Sequence, residues 1–428
     1  MPSNPRLLRT PLAHPRSLVT PVPDPSSTPR AYIVGTGDTK GEELRYVRDL
    51  VAATGLLTSL VDIGTRGTPN GFDVSAAEVA SFHPEGTTRV FVQDRGEAVA
   101  AMALAFTRFL QQRTDVAGAI GLAGSGGSAI IAPAFRTLPV GVPKMLVSTM
   151  AGSDVSAYVD ASDLQMLNPV TDLAGLNRVT RVILGNAAHA LAGMVSRRIV
   201  PPADERPAVG LTMYGVTTPC LQAIVARLKP TFDGLVFHAT STGVRSLERL
   251  LESGYLAGFI DVTTSDIPDL LFGGFFPAST DRLGATARTG FPYVGSCGAL
   301  DMVNFRAPET VPDRYRKRKL HPHNPYITLM RTTPEENRLV GHWIGERLNR
   351  CAGPVRFLIP EKGVSGLDAP GGPFFDPEAD EALFAAIEES VVQNASRRVL
   401  RLPLHLNDPR FAEAISTHFF EAVKNSKC

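Results

Sequence analysis

Two short segments carry the residue types that bind anions. Residues 35–43 read Gly-Thr-Gly-Asp-Thr-Lys-Gly-Glu-Glu and residues 121–128 read Gly-Leu-Ala-Gly-Ser-Gly-Gly-Ser, each after an apolar run and before a helix-like one. In the second segment Gly124, Gly126 and Gly127 let the backbone approach a ligand closely. Ser125, Ser128 and the first helical amides offer hydrogen bonds to phosphate-type oxygens. In the first, Gly35 and Gly37 open the turn, Lys40 pairs with phosphate, and Thr36 and Thr39 offer hydroxyls. Asp38 is the candidate to hold a hydrated magnesium ion that bridges phosphate oxygens. Neither string is a Walker loop or a G-x-G-x-x-G fingerprint, since Lys40 occupies the last glycine position. The alternative is a plain strand-to-helix turn at Gly124, with Asp38 or Thr39 only capping the next helix.

Ser148 and Thr149 follow another apolar run and add hydroxyls, and Asp154, Asp160, Asp163, Asn168, Asp172 and Asn177 extend a polar loop beyond them. In the second half, His238-Ala-Thr-Ser-Thr-Gly243, Ser296-Cys-Gly-Ala-Leu-Asp301 and Glu361-Lys-Gly-Val-Ser365 also stand where strands end. His238 and Asp301 form an acid–base pair if they converge; otherwise His238 is a hydrogen-bonding strand end. His321-Pro-His323 lacks an evident third ligand, so no tight transition-metal site is expected. Cys297 reads as a buried small apolar residue, and Arg314 to Lys319 as a solvated basic run.

These loops need a scaffold, and the apolar pattern supplies one. Strands are expected at 31–34, 57–63, 89–93, 116–122 and 144–148, then at 209–213, 235–238, 259–262, 293–296, 355–359 and 399–402. Helical spacing separates them, as in Leu44, Val47, Leu50 and Val51, and in residues 98–110 and 176–197. Pro334-Glu-Glu, Asp376-Pro-Glu and Asp408-Pro open three further helices. The alternation predicts an α/β fold of two Rossmann-like doubly wound subdomains with largely parallel sheets and a cleft between them. The boundaries are a disordered proline-rich tail over 1–30, a nucleotide-binding domain over 31–202 and a second α/β domain over 203–428, with Pro201, Pro202 and Pro207 in the linker.

Composition narrows the partners. The chain of 428 residues balances 43 basic against 42 acidic side chains, which excludes a global electrostatic footprint for nucleic acid or an anionic membrane. Cys220, Cys297, Cys351 and Cys428 lie far apart without metal spacing, which suits a reducing, cytoplasmic setting. No apolar run is long enough to span a bilayer.

With these stretches in view, 32–43, 124–128 and Val142-Pro-Lys-Met-Leu-Val-Ser-Thr-Met150 are similar to one family, the ATP-binding domain family of the tomato mosaic virus resistance protein. The likeness continues through 171–178, Tyr214-Gly-Val-Thr-Thr-Pro-Cys220, 298–305 and Pro370-Gly-Gly-Pro-Phe-Phe-Asp-Pro377. The family has Gly-Thr-Leu-Asp at residues 35–38 and Gly-Gly-Ser-Gly-Gly-Thr at 123–128, so small or hydroxyl chemistry is kept at both places. The resemblance implies two α/β subdomains and bound ATP, in proteins of bacteria, fungi and plants mostly without an assigned reaction. Some relatives carry an added barrel domain, which makes a separately encoded barrel-type enzyme a candidate partner beside a homo-oligomer. Three functions stay open: an ATP-binding protein that acts on or senses a small molecule at the cleft, an ATP-independent enzyme using His238 and Asp301, and a non-catalytic regulatory module.

Overall fold

The computed structural model describes residues 28–66, 71–199 and 206–426, which form two compact units, 28–199 and 206–426. The expected tail up to residue 27 and the linker prolines Pro201 and Pro202 lie outside the described residues. No described helix is long and apolar enough to cross a membrane.

The first unit runs β1 (Arg30–Gly35), α1 (Gly37–Ala52), β2 (Thr58–Asp62), α2 (Ala76–Ala80), α3 (Arg95–Gln111), β3 (Val116–Ala123), α4 (Ser125–Phe135), β4 (Lys144–Ser148), α5 (Ser156–Val159), β5 (Gln165–Leu167) and α6 (Arg178–Ser196). Its five strands are all parallel in the order β2-β1-β3-β4-β5. Successive strand side chains point to opposite faces, and both faces are covered, which is why the strands read as continuous apolar runs. Ala31, Ile33, Leu60, Ile120 and Leu122 pack with Leu44 and Val47 of α1 and Leu184 and Leu191 of α6. Tyr32, Val34, Val61 and Ala119 face the other way, against Phe106 and Phe109 of α3 and Ile131 and Phe135 of α4. Glycines in β3 let both layers close up. A Cβ on Gly118 would lie 2.6 Å from Val195 Cγ2, and one on Gly121 would lie 2.8 Å from Ile131 Cγ2.

The strand expected at 89–93 is absent. Thr87–Arg89 forms a 3-10 turn, Val90 is buried while Phe91 is 42% exposed, and Asp94 accepts a bond from the Glu97 amide at 2.9 Å to start α3. One buried side chain cannot seat a strand in a sheet covered on both faces.

The second unit contains β6 (Ala208–Met213), α7 (Thr218–Leu228), β7 (Asp233–His238), α8 (Ser241–Glu252), β8 (Leu256–Thr263), α9 (Asp266–Phe272), α10 (Gly284–Thr289) and β9 (Tyr293–Gly298). It continues with β10 (Met302–Phe305), β11 (Leu320–Asn324), β12 (Ile327–Arg331), α11 (Pro334–Leu348), β13 (Val355–Pro360), α12 (Pro377–Ser390), β14 (Arg397–Leu402) and α13 (Pro409–Asn425). Six parallel strands lie in the order β7-β6-β8-β9-β13-β14, so the winding of the first unit recurs. The three helix starts foreseen from proline and acid patterns are present. Thr333 and Glu336 form a reciprocal capping box on α11, and Asp376 and Asp408 cap α12 and α13. A separate antiparallel sheet, β10-β12-β11, was not foreseen, because the polar edge strand Leu-His-Pro-His-Asn has neither alternation nor a full set of amides.

A buried ion cluster ties β8, α9 and the segment before α10 together. Arg282, 2% exposed, donates to Asp261 Oδ2 at 2.7 Å and to Asp266 Oδ2 at 3.0 Å, and its Nη1 lies 3.8 Å from Glu248 Oε1. Thr212 and Tyr293 also donate to Asp261. Three carboxyls share one cation, and burial pushes Glu248 up to about 7 and Asp266 up to about 6 despite the guanidinium. The folded state therefore holds protons that the unfolded chain has already released above pH 4 to 5, so this contribution to stability is lost as pH rises toward 7. In urea unfolding between pH 5 and pH 8, the wild type should lose stability relative to Glu248→Gln; parallel pH profiles for the two proteins would contradict this. Arg282→Leu should cost about 3–5 kcal/mol at pH 8, because it strands buried carboxylates. In the first unit, Gly118→Val should cost about 1–3 kcal/mol through overpacking against α6.

Candidate functional site

The order β2-β1-β3 places a reversal of winding between β1 and β3. Gly35 pairs with Leu122 across that gap, so the turns after the two strands start side by side at the carboxyl edge. The first turn leads to α1 on one face of the sheet and the second to α4 on the other. Loops that part in this way leave a crevice, the usual ligand position in open α/β sheets. Ser148 pairs with Ala123, so the turn after β4 begins at the same edge. Sequence segments 35–40, 124–128 and 148–149 are thus brought to one edge.

Within that edge the residues divide by task. Gly124 is the N-cap of α4 and supplies no side-chain cap, so the amides of Ser125, Gly126 and Gly127 keep the unpaired character of a helix start. A Cβ on Gly124 would meet nothing within 4 Å, and Ser125 is exposed. Ser128 and Ser148 are fully buried and hold the frame. Ser128 Oγ donates to the Gly124 carbonyl at 2.9 Å and sits 2.6 Å from Ser148 Oγ, which accepts from the Met150 amide at 3.0 Å. Because the single Ser128 hydroxyl proton goes to the Gly124 carbonyl, Ser148 donates to Ser128, and the bond straps the β4 turn to the β3 turn. Thr149 stands exposed at the start of the next turn.

On the β1 side, Thr36 and Thr39 hydroxyls lie 2.6 Å apart, and Asp38 is exposed in the first turn of α1. Lys40 does not point its ammonium freely into the edge. Its Nζ donates to the Leu173 carbonyl at 2.7 Å, while Glu43 accepts from the Gly175 amide at 2.7 Å, so α1 grips the loop before α6. Lys40 also breaks helical geometry, with φ −134°.

Two contributors escaped the sequence reading. Asp62, 2% exposed at the end of β2, accepts from the Gly37 and Gly64 amides, each at 2.8 Å, and so fixes the β1 turn. Burial raises its carboxyl above the usual range, and the neighbouring charge of Asp38 raises it further, while the two amides lower it. A Cβ on Gly64 would lie 3.0 Å from Asp62 Oδ1 and 3.5 Å from Asp38 Oδ1, so both acids flank this glycine. Arg95, the first residue of α3, is exposed, and a Cβ on Gly126 would lie 3.4 Å from its Nη2. A cation thus stands beside the open end of α4. Asp62 gave a sequence signal as an acid ending a strand; Arg95 was hidden by the false strand at 89–93.

The second unit does not bring His238 and Asp301 together. His238 ends β7 and Asp301 follows β9, with β6 and β8 between them, a span of about 14 Å at the usual strand spacing. His238 is exposed, packs edge-on to Tyr214 with ring centroids 5.0 Å apart, and is held below the ordinary imidazole range by burial of its surroundings. Asp301 is fully buried and accepts from Ser365 Oγ at 2.8 Å. Cys297 is buried, as expected of cysteine acting as a small apolar residue. Among the described residues no cluster of three His, Cys, Asp or Glu side chains is arranged to hold a metal, and His321 packs near Phe374.

Comparison with known proteins gives the same two-part division. The N-terminal domain of the uncharacterised protein family UPF0261 matches residues 29–199, and the C-terminal domain of that family matches 206–423. A UPF0261 protein of Mesorhizobium japonicum is 58% identical over 388 residues, covering 90% of this chain and 98% of that protein. One from Rhizobium meliloti is 59% identical over 389 residues, covering 90% and 97%. The ToMV resistance protein Tm-1(GCR237) of Solanum lycopersicum is 39% identical over 428 residues, covering 94% of this chain but 57% of the tomato protein, so the chain corresponds to little more than half of that relative. Matched across both units, the chain belongs to the UPF0261 family.

Proposed function

We propose that this chain is an ATP-binding protein whose first unit receives the triphosphate, as its magnesium complex, at the edge shared by β1 and β3. The observation that carries this reading is the uncapped, glycine-built start of α4 standing beside Arg95 across the winding reversal. Helix-start amides and a guanidinium are complementary to phosphate in both charge and donor geometry. The residues present fit the group: Gly124 has open space above it, Ser125 and Thr149 are exposed hydroxyls, and Asp38 is an exposed carboxylate suited to one contact with a hydrated magnesium ion. The resemblance of 32–43 and 124–128 to an ATP-binding family supports the same choice of anion.

In this reading Gly124, Ser125, Gly126 and Gly127 contact phosphate, Thr36, Thr39 and Thr149 line the edge, and Gly35, Gly37, Ser128 and Ser148 shape it. Lys40 acts by holding the 171–177 loop unless that bond is exchanged for phosphate. The separation of His238 from Asp301 favours ligand-coupled sensing over acid–base chemistry by that pair. A homo-oligomer or a separately encoded barrel-type enzyme is the kind of partner such a module serves.

Magnesium ATP should raise the melting temperature of the purified protein in a concentration-dependent way, worth about 2.7 kcal/mol at a hundredfold excess over Kd. Ser125→Asp should fold with equal or greater stability, because an acid suits a helix start, yet abolish the ATP-dependent rise by repelling phosphate. Arg95→Ala should weaken binding by roughly tenfold or more, the worth of one charged hydrogen bond. Asp38→Asn should weaken binding with magnesium and leave binding in EDTA unchanged. Undiminished ATP binding by folded Ser125→Asp would overturn the site.

A further inference from the structure

The second unit contains a hollow of about 540 Å³ beyond the carboxyl end of β13, in the segment 361–384 that the nucleotide reading leaves unused. Its apolar surface comes from Pro370, Phe375, Pro377 and Phe384, with Phe375 39% exposed at the rim and Phe384 almost wholly enclosed. One acid reaches it from inside the protein. Asp380, in the first turn of α12 and only 4% exposed, lines the hollow while its Oδ1 accepts from Arg331 Nη2 at 2.7 Å.

Behind Asp380 three acids face one guanidinium. Arg331 is 3% exposed and is the guanidinium faced by three buried acids, Asp301, Asp368 and Asp380. Its other donors are spent on the carbonyls of Phe374 and Asp376 and on Thr332. Asp368 Oδ1 is enclosed 4.0 Å from Arg331 Nη2, and Asp368 and Asp380 share a hydrogen bond through one proton; Asp301 Oδ1 is enclosed without a donor. Ionising all three acids would leave two negative charges beyond the one that Arg331 offsets, so a second cation at Asp380 would favour its ionised form.

The remaining charged groups around the hollow are committed elsewhere or stand at its mouth. Arg401 bonds to Glu381 and Glu388, with Glu361 4.0 Å away, so that wall neutralises itself. His405 Nδ1 accepts from the Asn407 amide at 3.0 Å, which leaves the proton on Nε2, turned toward the carbonyls of Ser365 and Asp368. Lys362 is exposed at the mouth.

We propose that this hollow is a second ligand site, which takes a small organic amine with its ammonium on Asp380 and its apolar body on Phe375 and Phe384. The volume suits a ligand of drug-like size or smaller. Ionised Asp380 offers a charge-assisted bond, and the two rings supply apolar contact and a favourable face for an adjacent cation. The site stands apart from the nucleotide reading, since no residue is shared.

Burial and the neighbouring Asp368 push Asp380 up to about 8, and Asp301 up to about 7, against the lowering by Arg331. An ammonium must therefore displace the Asp380 proton, so affinity rises with pH until Asp380 is already ionised. The test is calorimetric titration of the full chain with benzylamine, benzyl alcohol and benzoate. Benzylamine should bind saturably, about tenfold or more tighter at pH 8.5 than at pH 6.5, with proton release at pH 6.5 shown by the dependence of heat on buffer. Asp380→Asn, which keeps an acceptor for Arg331, should lose binding and the pH dependence, and the rim change Phe375→Ala should weaken binding several-fold without touching the buried cluster. Ser125→Asp should bind benzylamine as the wild type does, so failure of the nucleotide site is read separately. Absence of saturable benzylamine binding, equal binding of benzyl alcohol or benzoate, or unchanged binding by Phe375→Ala would overturn the proposal.

Discussion

In the first unit the edge proposed to receive phosphate exists because the chain changes its direction of winding between β1 and β3. Both strands are parallel and hydrogen-bonded, yet α1 must return on one face and α4 on the other. The two turns lead to opposite faces, and where they part a Cβ on Gly124 would meet nothing within 4 Å. The rest of the edge holds these turns in place. Asp62 pins the β1 turn through two amides, the Ser128–Ser148 pair pins the β3 and β4 turns, and Lys40 with Glu43 pins the loop before α6. What is left facing outward is a helix start without a cap and an arginine beside it.

The second unit uses the same winding to a different end. At its reversal, between β6 and β8, Thr217 and Thr263 hydroxyls lie 2.8 Å apart, and Tyr214 donates to Asn304, whose amides are received by Asp269. The crevice is occupied by the protein's own polar groups, and burial drives Asp269 up to about 7. Deeper in the same sheet Arg282 gathers three acids. The hollow that stays open lies two strands away, beyond β13, bordered by an acid cluster with one guanidinium among three carboxyls. Under the two proposals, one topology supplies an edge for an anion in the first unit and a hollow for a cation in the second.

Much of this frame was legible in the residues, because periodicity is a local signal. Lys144 to Ser148 was read as β4 and Pro334 to Leu348 as α11, since an apolar five-residue run and a proline-acid start each define themselves without distant partners. The edge around Gly35 and Gly124 was legible too, because glycine and serine after a strand mark a turn whatever follows. What failed depended on distant packing. The run 89–93 has strand-like composition but no neighbour to pair with, and Pro322 disguised β11. The duties of single side chains were hardest to foresee. Lys40 bonds a carbonyl 133 residues away, and Asp380 acquires its character from Arg331 and Asp368, which no spacing rule connects to it.

The central claim is that the starts of α1 and α4 form one phosphate-receiving edge, and hydrogen–deuterium exchange of the intact protein with and without magnesium ATP tests it most directly. The account predicts slowed exchange in peptides covering 36–40 and 124–128 together, with 361–384 unchanged. Protection confined to the second unit, or protection of one of the two turns without the other, would contradict it.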